Sequence, residues 1–343
     1  MTKQRITIRS IARRLGLSPA TVSTALTGRR NGIFVSPETR DKVRQVAQSM
    51  GYPLDRLRRR PPTLQRIALL CPPRTDFISA AVPELCQLLT QQDFRVIIRT
   101  DADRRHACRV ARELHRRYEI DGAIFLGSRS DPDEVPGDLP SVVLGDVPDG
   151  MAAWRVSVDN EGGGQLAGEH LWSLGHRRIG MVLWEGNRLP AEKRLRGLRS
   201  LWERQDLRIP DTAVFRIGAD SEEEVFEKLA AGFRGKGIRR RLPLTALFCY
   251  NDRLAGMAIK ALRRLDLRVP GDISIVGFDD AVYTELLDPP LTTVRQPLVQ
   301  LVSLATQLLQ ERLANPQAPP RSLSLAGRLV VRQSTAPPPP ARS

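Results

Sequence analysis

Five polar side chains follow short apolar runs of the sequence, at the places where buried strands would end. They are Asp76, Ser128, Asp146, Asn251 and Asp279, and further acids stand at Asp252 and Asp280. Because ligands of open α/β sheets bind beyond the carboxyl ends of the strands, these residues are candidates to hydrogen-bond a small polar molecule. A lone Asp in such a position is more often a helix cap or a loop residue. Five of them together favour a binding site.

Other kinds of site lack the residues that they need. The four cysteines lie far apart without a C-x-x-C pair, and the four histidines form no metal-ligand spacing. This pattern argues for reduced thiols and against a zinc site. The sequence also shows no hydrolytic triad and no phosphate-binding loop. We therefore expect no catalytic residue, no metal and no cofactor.

The candidate residues stand in a pattern of alternating strands and helices. Short apolar runs alternate with amphipathic stretches, which indicates βαβ units and parallel sheets. The runs cover residues 67–71, 96–98, 123–126, 142–144, 179–183, 214–217, 246–249 and 273–278. About eight strands in roughly 270 residues favour two such sheets rather than one.

Residues 7–51 have the spacing of three short helices. Thr7 can cap the first helix, and apolar residues at i, i+3, i+4 and i+7 follow it. Gly16 suits a turn after this helix, because glycine adopts a left-handed backbone at little cost. Ser18 and Pro19 are a typical cap and first residue of a second helix, and a later Ser-Pro pair begins a third.

Three helices with a tight turn are typical of a helix-turn-helix unit, whose second helix enters the major groove of DNA. Val22 and Leu26 are expected to pack against the first helix. The outward face of the second helix is then predicted to be Pro19, Ala20, Ser23 and Thr24. The alternative is an ordinary helical hairpin that binds no nucleic acid.

The distribution of charge favours the DNA-binding interpretation. Residues 1–66 contain fifteen Lys or Arg and three Asp or Glu, an excess of twelve positive charges in a chain of net charge +15. A charge run is usually a solvated face, but its concentration on a groove-reading motif is better explained by phosphate neutralisation. No apolar run reaches ~18 residues and no apolar segment follows the basic start. We expect a cytoplasmic protein without a membrane span.

Composition also predicts the boundaries of the domains. The helical headpiece covers residues 1–51, an Arg- and Pro-rich hinge or linker covers 52–66, and the α/β core covers 67–333. The proline-rich residues 334–343 are predicted to form a disordered tail.

Several longer motifs identify a family. They are 18–23 (SPATVS), 35–40 (VSPETR), 158–160 (VDN), 174–179 (LGHRRI), 248–252 (FCYND), 273–280 (ISIVGFDD) and 290–297 (PLTTVRQP). Through them residues 6–333 resemble the lactose repressor family of bacterial transcription regulators. The resemblance implies an all-α helix-turn-helix headpiece, a hinge and an α/β two-lobed core like that of periplasmic binding proteins. The chain would cross between lobes near Val158, Pro289 and Pro319. The N-lobe would then be about 67–158 and 290–318, and the C-lobe about 159–289 and 319–333.

The resemblance also implies roles for individual residues. Asp146, Arg194, Asn251 and Asp279 match positions that hydrogen-bond small effectors, often sugars or nucleobases. Phe77, which follows Asp76, could stack on a ring face. The full effector-binding set is Asp76, Phe77, Ser128, Asp146, Val158, Arg194, Asn251 and Asp279. The DNA-binding set is Thr7, Ser18, Pro19, Ala20, Thr21, Ser23, Thr24, Arg29, Arg30, Leu57, Arg58 and Arg59.

The sequence departs from the family at three kinds of position. Many relatives have Arg in place of Thr24 and Asn in place of Thr27, and both departures remove a strong base reader. Val158 stands where an aromatic residue is frequent. In the hinge, Pro61 replaces the leucine that wedges into the minor groove, so Leu57 or Leu54 would have to substitute for it.

The resulting expectation is a homodimeric repressor that binds a roughly palindromic DNA operator in the bacterial cytoplasm, at the nucleoid, under the control of a small molecule between its lobes. Two alternatives remain open from the sequence. One is a transport-type solute-binding protein, which the fold alone would allow. The other is a regulator whose corepressor is a protein rather than a small molecule.

Overall fold

The computed structural model describes residues 7–27, 35–50, 52, 65–72, 75–100, 104–117, 119–129, 131, 134–219, 221–233 and 244–340. The chain divides into two compact units, residues 1–64 and 65–343.

In its described residues, 7–27, 35–50 and 52, the first unit contains three helices, α1 (Ile8–Leu15), α2 (Pro19–Thr27) and α3 (Pro37–Ser49). Thr7 caps α1 by accepting a hydrogen bond from the backbone N–H of Ser10, whose hydroxyl accepts one from the Thr7 N–H in return. Gly16 ends α1 with a φ of 65°, as the sequence predicts. The fully buried Ile11, Val22 and Val43 join the three helices in one core, so the predicted helix-turn-helix unit is present.

The prediction that Thr24 faces outward is wrong, because its exposed fraction is 5%. The sequence argument considered only the face of α2 that packs on α1. In the structure α2 contacts both α1 and α3, so more than one of its faces is covered. Ser18, Pro19 and Ala20 are exposed, as expected for the start of this helix.

The described residues of the second unit form two six-stranded sheets. The first has the order β11-β5-β4-β3-β1-β2 and the second the order β12-β10-β9-β8-β6-β7; among these strands only β12 is antiparallel to its neighbour. The strands are β1 (Arg66–Cys71), β2 (Arg95–Thr100), β3 (Gly122–Leu126), β4 (Ser141–Leu144), β5 (Arg155–Val158), β6 (Ile179–Trp184), β7 (Val214–Ile217), β8 (Ala246–Cys249), β9 (Ser274–Asp279), β10 (Thr292–Arg295), β11 (Ser322–Leu325) and β12 (Arg328–Val330).

Helices cover the sheets of this unit. They are α4 (Asp76–Gln91), α5 (Arg104–Arg116), α6 (Asn160–Ser173), α7 (Arg188–Glu203), α8 (Glu222–Phe233), α9 (Asp252–Arg264) and α10 (Leu298–Ala314). The predicted two-sheet α/β core is therefore confirmed. All eight predicted apolar runs coincide with strands, and each sheet with its helices forms one lobe.

Two of the three predicted lobe crossings are misplaced. β10 pairs with β9 of the C-lobe sheet, so the second crossing follows residue 295 and does not lie near Pro289. β11 pairs with β5 of the N-lobe sheet and β12 with β10, so the third crossing lies at 326–327 and not near Pro319. The prolines mark turns at which strands begin, whereas strand pairing decides the lobe. The described residues of 65–158 and 298–325 form the N-lobe, and those of 159–295 and 328–340 form the C-lobe.

Residues 334–340 do not form the disordered tail that the composition predicts. Ser334 is fully buried, and its hydroxyl donates to the carbonyl of Ile275 at 2.6 Å and accepts from the N–H of Thr292 at 2.8 Å. The carbonyl of Ala336 lies 2.9 Å from the ring Nε2 of His176. The segment is anchored because its own polar groups complete hydrogen bonds of the C-lobe.

Removing this segment should destabilise the C-lobe. A chain ending after Gln333 loses these bonds and leaves buried partners unsatisfied, so we expect its free energy of unfolding to fall by about 2–4 kcal/mol. A chain ending after Pro338 keeps them and should unfold as the full chain does. Urea unfolding followed by circular dichroism measures the difference. Equal stability of the two truncated chains would contradict the assigned anchoring.

Candidate functional site

A cleft of about 630 Å³ lies between the two lobes, at the carboxyl ends of their central strands. All eight residues predicted to bind an effector line this cleft. The N-lobe contributes Asp76, Phe77, Ser128, Asp146 and Val158, and the C-lobe contributes Arg194, Asn251 and Asp279. Its size suits a small organic molecule. The structure therefore brings together residues that are up to about two hundred positions apart in the chain.

On the N-lobe side, the ends of β3 and β4 approach each other closely. Gly145 has a φ of 154°, and a Cβ there would lie 2.6 Å from the carbonyl carbon of Gly127. Only glycine fits this approach. It allows the hydroxyl of Ser128 to accept a hydrogen bond from the N–H of Asp146 at 3.1 Å, so these two cleft residues hold each other in place.

On the C-lobe side, Arg194 of α7 is fixed by the protein itself. Its Nε donates to Oδ1 of Asn160 at 2.7 Å, and its Nη1 donates to the carbonyl of Tyr250. Its guanidinium also lies over the rings of Phe278 and Tyr250, with 3.5 and 4.5 Å to their centroids. Two of its five N–H donors are used in these bonds, and the stacking fixes the plane of the cation, so its remaining donors point in fixed directions.

The three acids that follow C-lobe strands have different surroundings. Asp252 is fully buried and accepts hydrogen bonds from the hydroxyl of Thr293 at 2.6 Å and the N–H of Ala281 at 2.8 Å. Asp280 pairs with Arg295 and Arg332. These two acids join strands and loops of the C-lobe, so Asp279 is the one that lines the cleft.

The pKa values of these acids follow from their surroundings. Burial raises the pKa of Asp279 to about 6, although the charge of Arg194 and a hydrogen bond from Gln296 oppose the rise. Burial and the neighbouring Asp279 raise the pKa of Asp252 as well. Burial alone would raise the pKa of Asp280, but hydrogen bonds from its two arginines outweigh this effect and lower it.

Sequence reasoning missed many residues of the cleft wall, among them Trp184, Asn160, Tyr250 and Gln296. Trp184 is the last residue of β6 and Tyr250 follows β8, so the rule applied to the polar strand ends would have found both. Asn160 lies at the first lobe crossing, which the sequence located without assigning this residue to the cleft, and Gln296 lies at the second crossing, which the sequence misplaced.

Asn251 is placed by its role as a helix cap. Its side-chain Oδ1 accepts a hydrogen bond from the N–H of Leu254 at the start of α9, at 2.9 Å. The cap and the cleft-lining position coincide, so both interpretations of this residue are compatible.

Some of the residues predicted to contact DNA lie within the described part of the chain, and others lie outside it. Thr7, Ser18, Pro19 and Ala20 are exposed, and Thr21 and Ser23 are half-buried. The hydroxyl of Ser18 accepts from the N–H of Thr21 at 3.0 Å and so caps α2. Arg29, Arg30, Leu57, Arg58 and Arg59 lie outside the described residues. On α1, Arg9, Arg13 and Arg14 are exposed cations that could reach phosphates.

Within the described ranges, no group of three or more His, Cys, Asp or Glu could hold a metal ion. In the same part of the chain, none of the helices is long and apolar enough to span a bilayer.

Comparisons with known proteins agree with this geometry. Residues 7–53 match the model of bacterial regulatory proteins of the lacI family, and residues 169–335 match a periplasmic binding protein-like domain. The chain is 31% identical to the HTH-type transcriptional regulator reg1 of Streptomyces lividans, over 95% of each chain. It is 29% identical to the ribose operon repressor of Haemophilus influenzae, over 96% of this chain and 98% of that one.

Two solved structures share the fold over nearly the whole chain. A complex of the transcriptional regulator CelR with cellobiose has a TM-score of 0.69 at 25% identity, and covers 96% of this chain and 100% of its own. A Lac repressor dimer bound to operator and the anti-inducer ONPF has a TM-score of 0.69 at 25% identity, with 97% and 100% covered.

The raised pKa of Asp279 predicts a pH-dependent effect on stability. The unfolded chain holds this carboxyl at its ordinary pKa of 3.8, so ionising it costs the folded protein stability; the cost grows between about pH 4 and pH 6 and is fully present above pH 6. Asp279→Asn removes that charge and should raise the free energy of unfolding by about 1–2 kcal/mol at pH 7.5. The gain should shrink towards pH 4.5, where the folded wild type is protonated.

Asp280→Asn is the matched control for this experiment. Because the pKa of Asp280 is lowered, its ionised form stabilises the fold, so this variant should lose stability at pH 7.5. Urea unfolding of the wild type and both variants at pH 7.5 and pH 4.5 measures these changes in the free energy of unfolding. A loss of stability in Asp279→Asn that is equal at both pH values would rule out the proposed cause.

Proposed function

Because the chain belongs to the lacI family of bacterial regulatory proteins, we propose that it represses transcription from a roughly palindromic DNA operator under the control of a small molecule bound in its cleft. The supporting observation is that one chain joins a basic helix-turn-helix unit to a two-lobed cleft lined by polar side chains. The headpiece distinguishes it from a transport protein of the same core fold. We place its action in the bacterial cytoplasm, at the nucleoid, and assign it no catalytic step.

The proposed DNA contacts begin at the exposed end of α2. Ser18, Pro19 and Ala20 are available to base edges, whereas the buried Thr24 is not. None of these three has a long hydrogen-bonding side chain, so much of the affinity is assigned to phosphate contacts by the excess of arginine.

The chemistry of the cleft supports a sugar or a related metabolite. Asp279 and Asn251 offer acceptors and donors to hydroxyl groups, and Arg194 offers a fixed donor. Trp184 and Phe77 provide aromatic faces that suit the apolar face of a ring. Asp76, Ser128 and Val158 complete the proposed contact set. Relatives support the same class, since CelR is solved with cellobiose and a lacI-family regulator of Enterococcus faecium with ribose.

We propose that the protein acts as a homodimer, as the Lac repressor does on its operator. The described surface carries apolar side chains of the kind that interfaces cover, with Val282 95% and Val299 66% exposed. A two-fold dimer also matches a palindromic DNA site.

In this proposal, ligand binding changes the closure of the lobes and thereby the affinity for the operator. The expected coupling free energy is about 1–3 kcal/mol, as in other allosteric proteins.

Asp279→Ala should abolish the response to the ligand and leave the basal affinity for DNA unchanged, because the residue lines the cleft in the second unit. Isothermal titration calorimetry with cellobiose, ribose and a wider panel of sugars and nucleobases identifies the ligand. Fluorescence anisotropy on a promoter fragment then measures the response. The exposed Asp288→Ala serves as a control. A collapse of basal affinity would indicate a structural role, and no heat from any ligand would favour a protein corepressor.

Arg9→Ala should weaken binding to all duplexes alike, because an exposed arginine of α1 is proposed to contact a phosphate. The slope of log affinity against log salt should fall in magnitude by about one. Arg263→Ala, which removes an exposed arginine of the C-lobe, should leave both quantities unchanged. A loss confined to one DNA sequence would show that Arg9 reads bases.

A further inference from the structure

We propose that an ion pair between Lys193 and Asp146 latches the two lobes together, and that Asp146 serves this latch rather than ligand recognition. The inference deepens the proposed ligand control, since it names a contact that closure of the lobes would make or break. It stands on the placement, hydrogen bonding and burial of the pair.

The two residues belong to different lobes. Asp146 follows β4 of the N-lobe, and Lys193 lies on α7 of the C-lobe. The Lys193 Nζ donates to Oδ1 of Asp146 at 2.7 Å, the distance of a direct charge-assisted hydrogen bond. The side chains are 17% and 3% exposed, so solvent screens the pair much less than it screens a surface ion pair.

The Asp146 carboxylate is already occupied on both oxygens. Oδ2 accepts from Nδ2 of Asn160 at 2.6 Å, and Oδ1 also lies 3.5 Å from Nη1 of Arg155. A ligand hydroxyl would have to compete with these three donors, two of which are charged. Asp146 is therefore a poor acceptor for a neutral ligand, although it lies at the cleft wall.

Breaking the pair leaves no buried charge without a partner. When the lobes separate, Asp146 keeps Arg155 of its own lobe and Asn160 next to the first lobe crossing. Lys193 also loses a longer contact with Asp149 of the N-lobe, at 4.0 Å, but its ammonium, which is already 17% exposed, gains water. Loss of both partners would carry a large desolvation penalty. The arrangement thus permits reversible opening.

The latch is also connected to the residues that face the ligand. Asn160 donates to Asp146 and accepts from Nε of Arg194, so one chain of hydrogen bonds runs from Lys193 to Arg194. A ligand that moves Arg194 therefore also moves Asn160, which is hydrogen-bonded to Asp146 of the latch.

The test measures the distance between the lobes directly, without ligand or DNA. Two cysteines for spin labelling are introduced at exposed helix positions, Arg116→Cys in the N-lobe and Glu227→Cys in the C-lobe. Cys86→Ser removes the natural cysteine that is partly exposed and could also be labelled. Labelled chain is diluted with unlabelled chain, so that double electron–electron resonance reports distances within one protomer. Lys193→Met should raise the ratio of long to short distances about fivefold or more.

Two variants are the controls. Lys193→Arg keeps the charge and should keep the wild-type distances. Arg196→Met removes another positive charge of α7. Arg196 pairs with Glu161 within the C-lobe, and this pair is exposed, so the variant should keep the wild-type distances between the lobes. Wild-type distances in Lys193→Met, or an equal shift in Arg196→Met, would overturn the proposal.

Asp146→Asn provides an independent check. It should open the lobes as Lys193→Met does, and the double variant should open them no further than either single variant, since both remove one interaction. Additive opening would overturn the latch. Because neither readout uses DNA or a ligand, failure of the proposed function would not change these distances.

Discussion

The close crossing of α6 and α7 is the constraint on which the C-lobe side of the cleft depends. A Cβ at Gly164 would fall well inside contact distance of the carbonyl oxygen of Arg194, and one at Gly197 would do the same to the carbonyl of Glu161. The two helices therefore touch backbone to backbone, with no side chain between them. Any larger residue at either glycine would push α7 away and carry Arg194 out of the stack that it forms with Phe278 and Tyr250.

The same crossing explains how one helix serves two purposes. Arg194 and Lys193 are neighbours on α7, yet one bonds within the C-lobe and the other reaches the N-lobe. Asn160, the first residue of α6, bonds to Arg194 and to Asp146. Buried polar side chains that have several hydrogen-bond partners are held in one geometry. A site that distinguishes similar ligands needs such fixed side chains.

Much of this could be predicted from the sequence, and the failures have physical causes. The long apolar strands and the capped helices of the first unit were predictable because their signals are local. β5, β10, β11 and β12 were missed because they have only three or four residues and several polar side chains. The burial of Thr24 and the anchoring of Ser334 depend on tertiary neighbours, α3 and β9, that no local pattern reveals. Likewise, the local pattern did not distinguish Asp279 from Asp252 and Asp280; the family resemblance singled out Asp279, and the structure gives the physical reason.

The late position of β11 and β12 has a consequence for synthesis of the chain on the ribosome. Each sheet takes one strand from residues 322–330, and residues 334–336 then complete hydrogen bonds to β9. Neither lobe can complete its sheet until these residues have been synthesised, because the contacts join segments far apart in sequence. The described core of the helical unit lies within residues 8–52, so it can form while the rest of the chain is being made. A nascent chain can thus acquire its helix-turn-helix unit well before its two-lobed core.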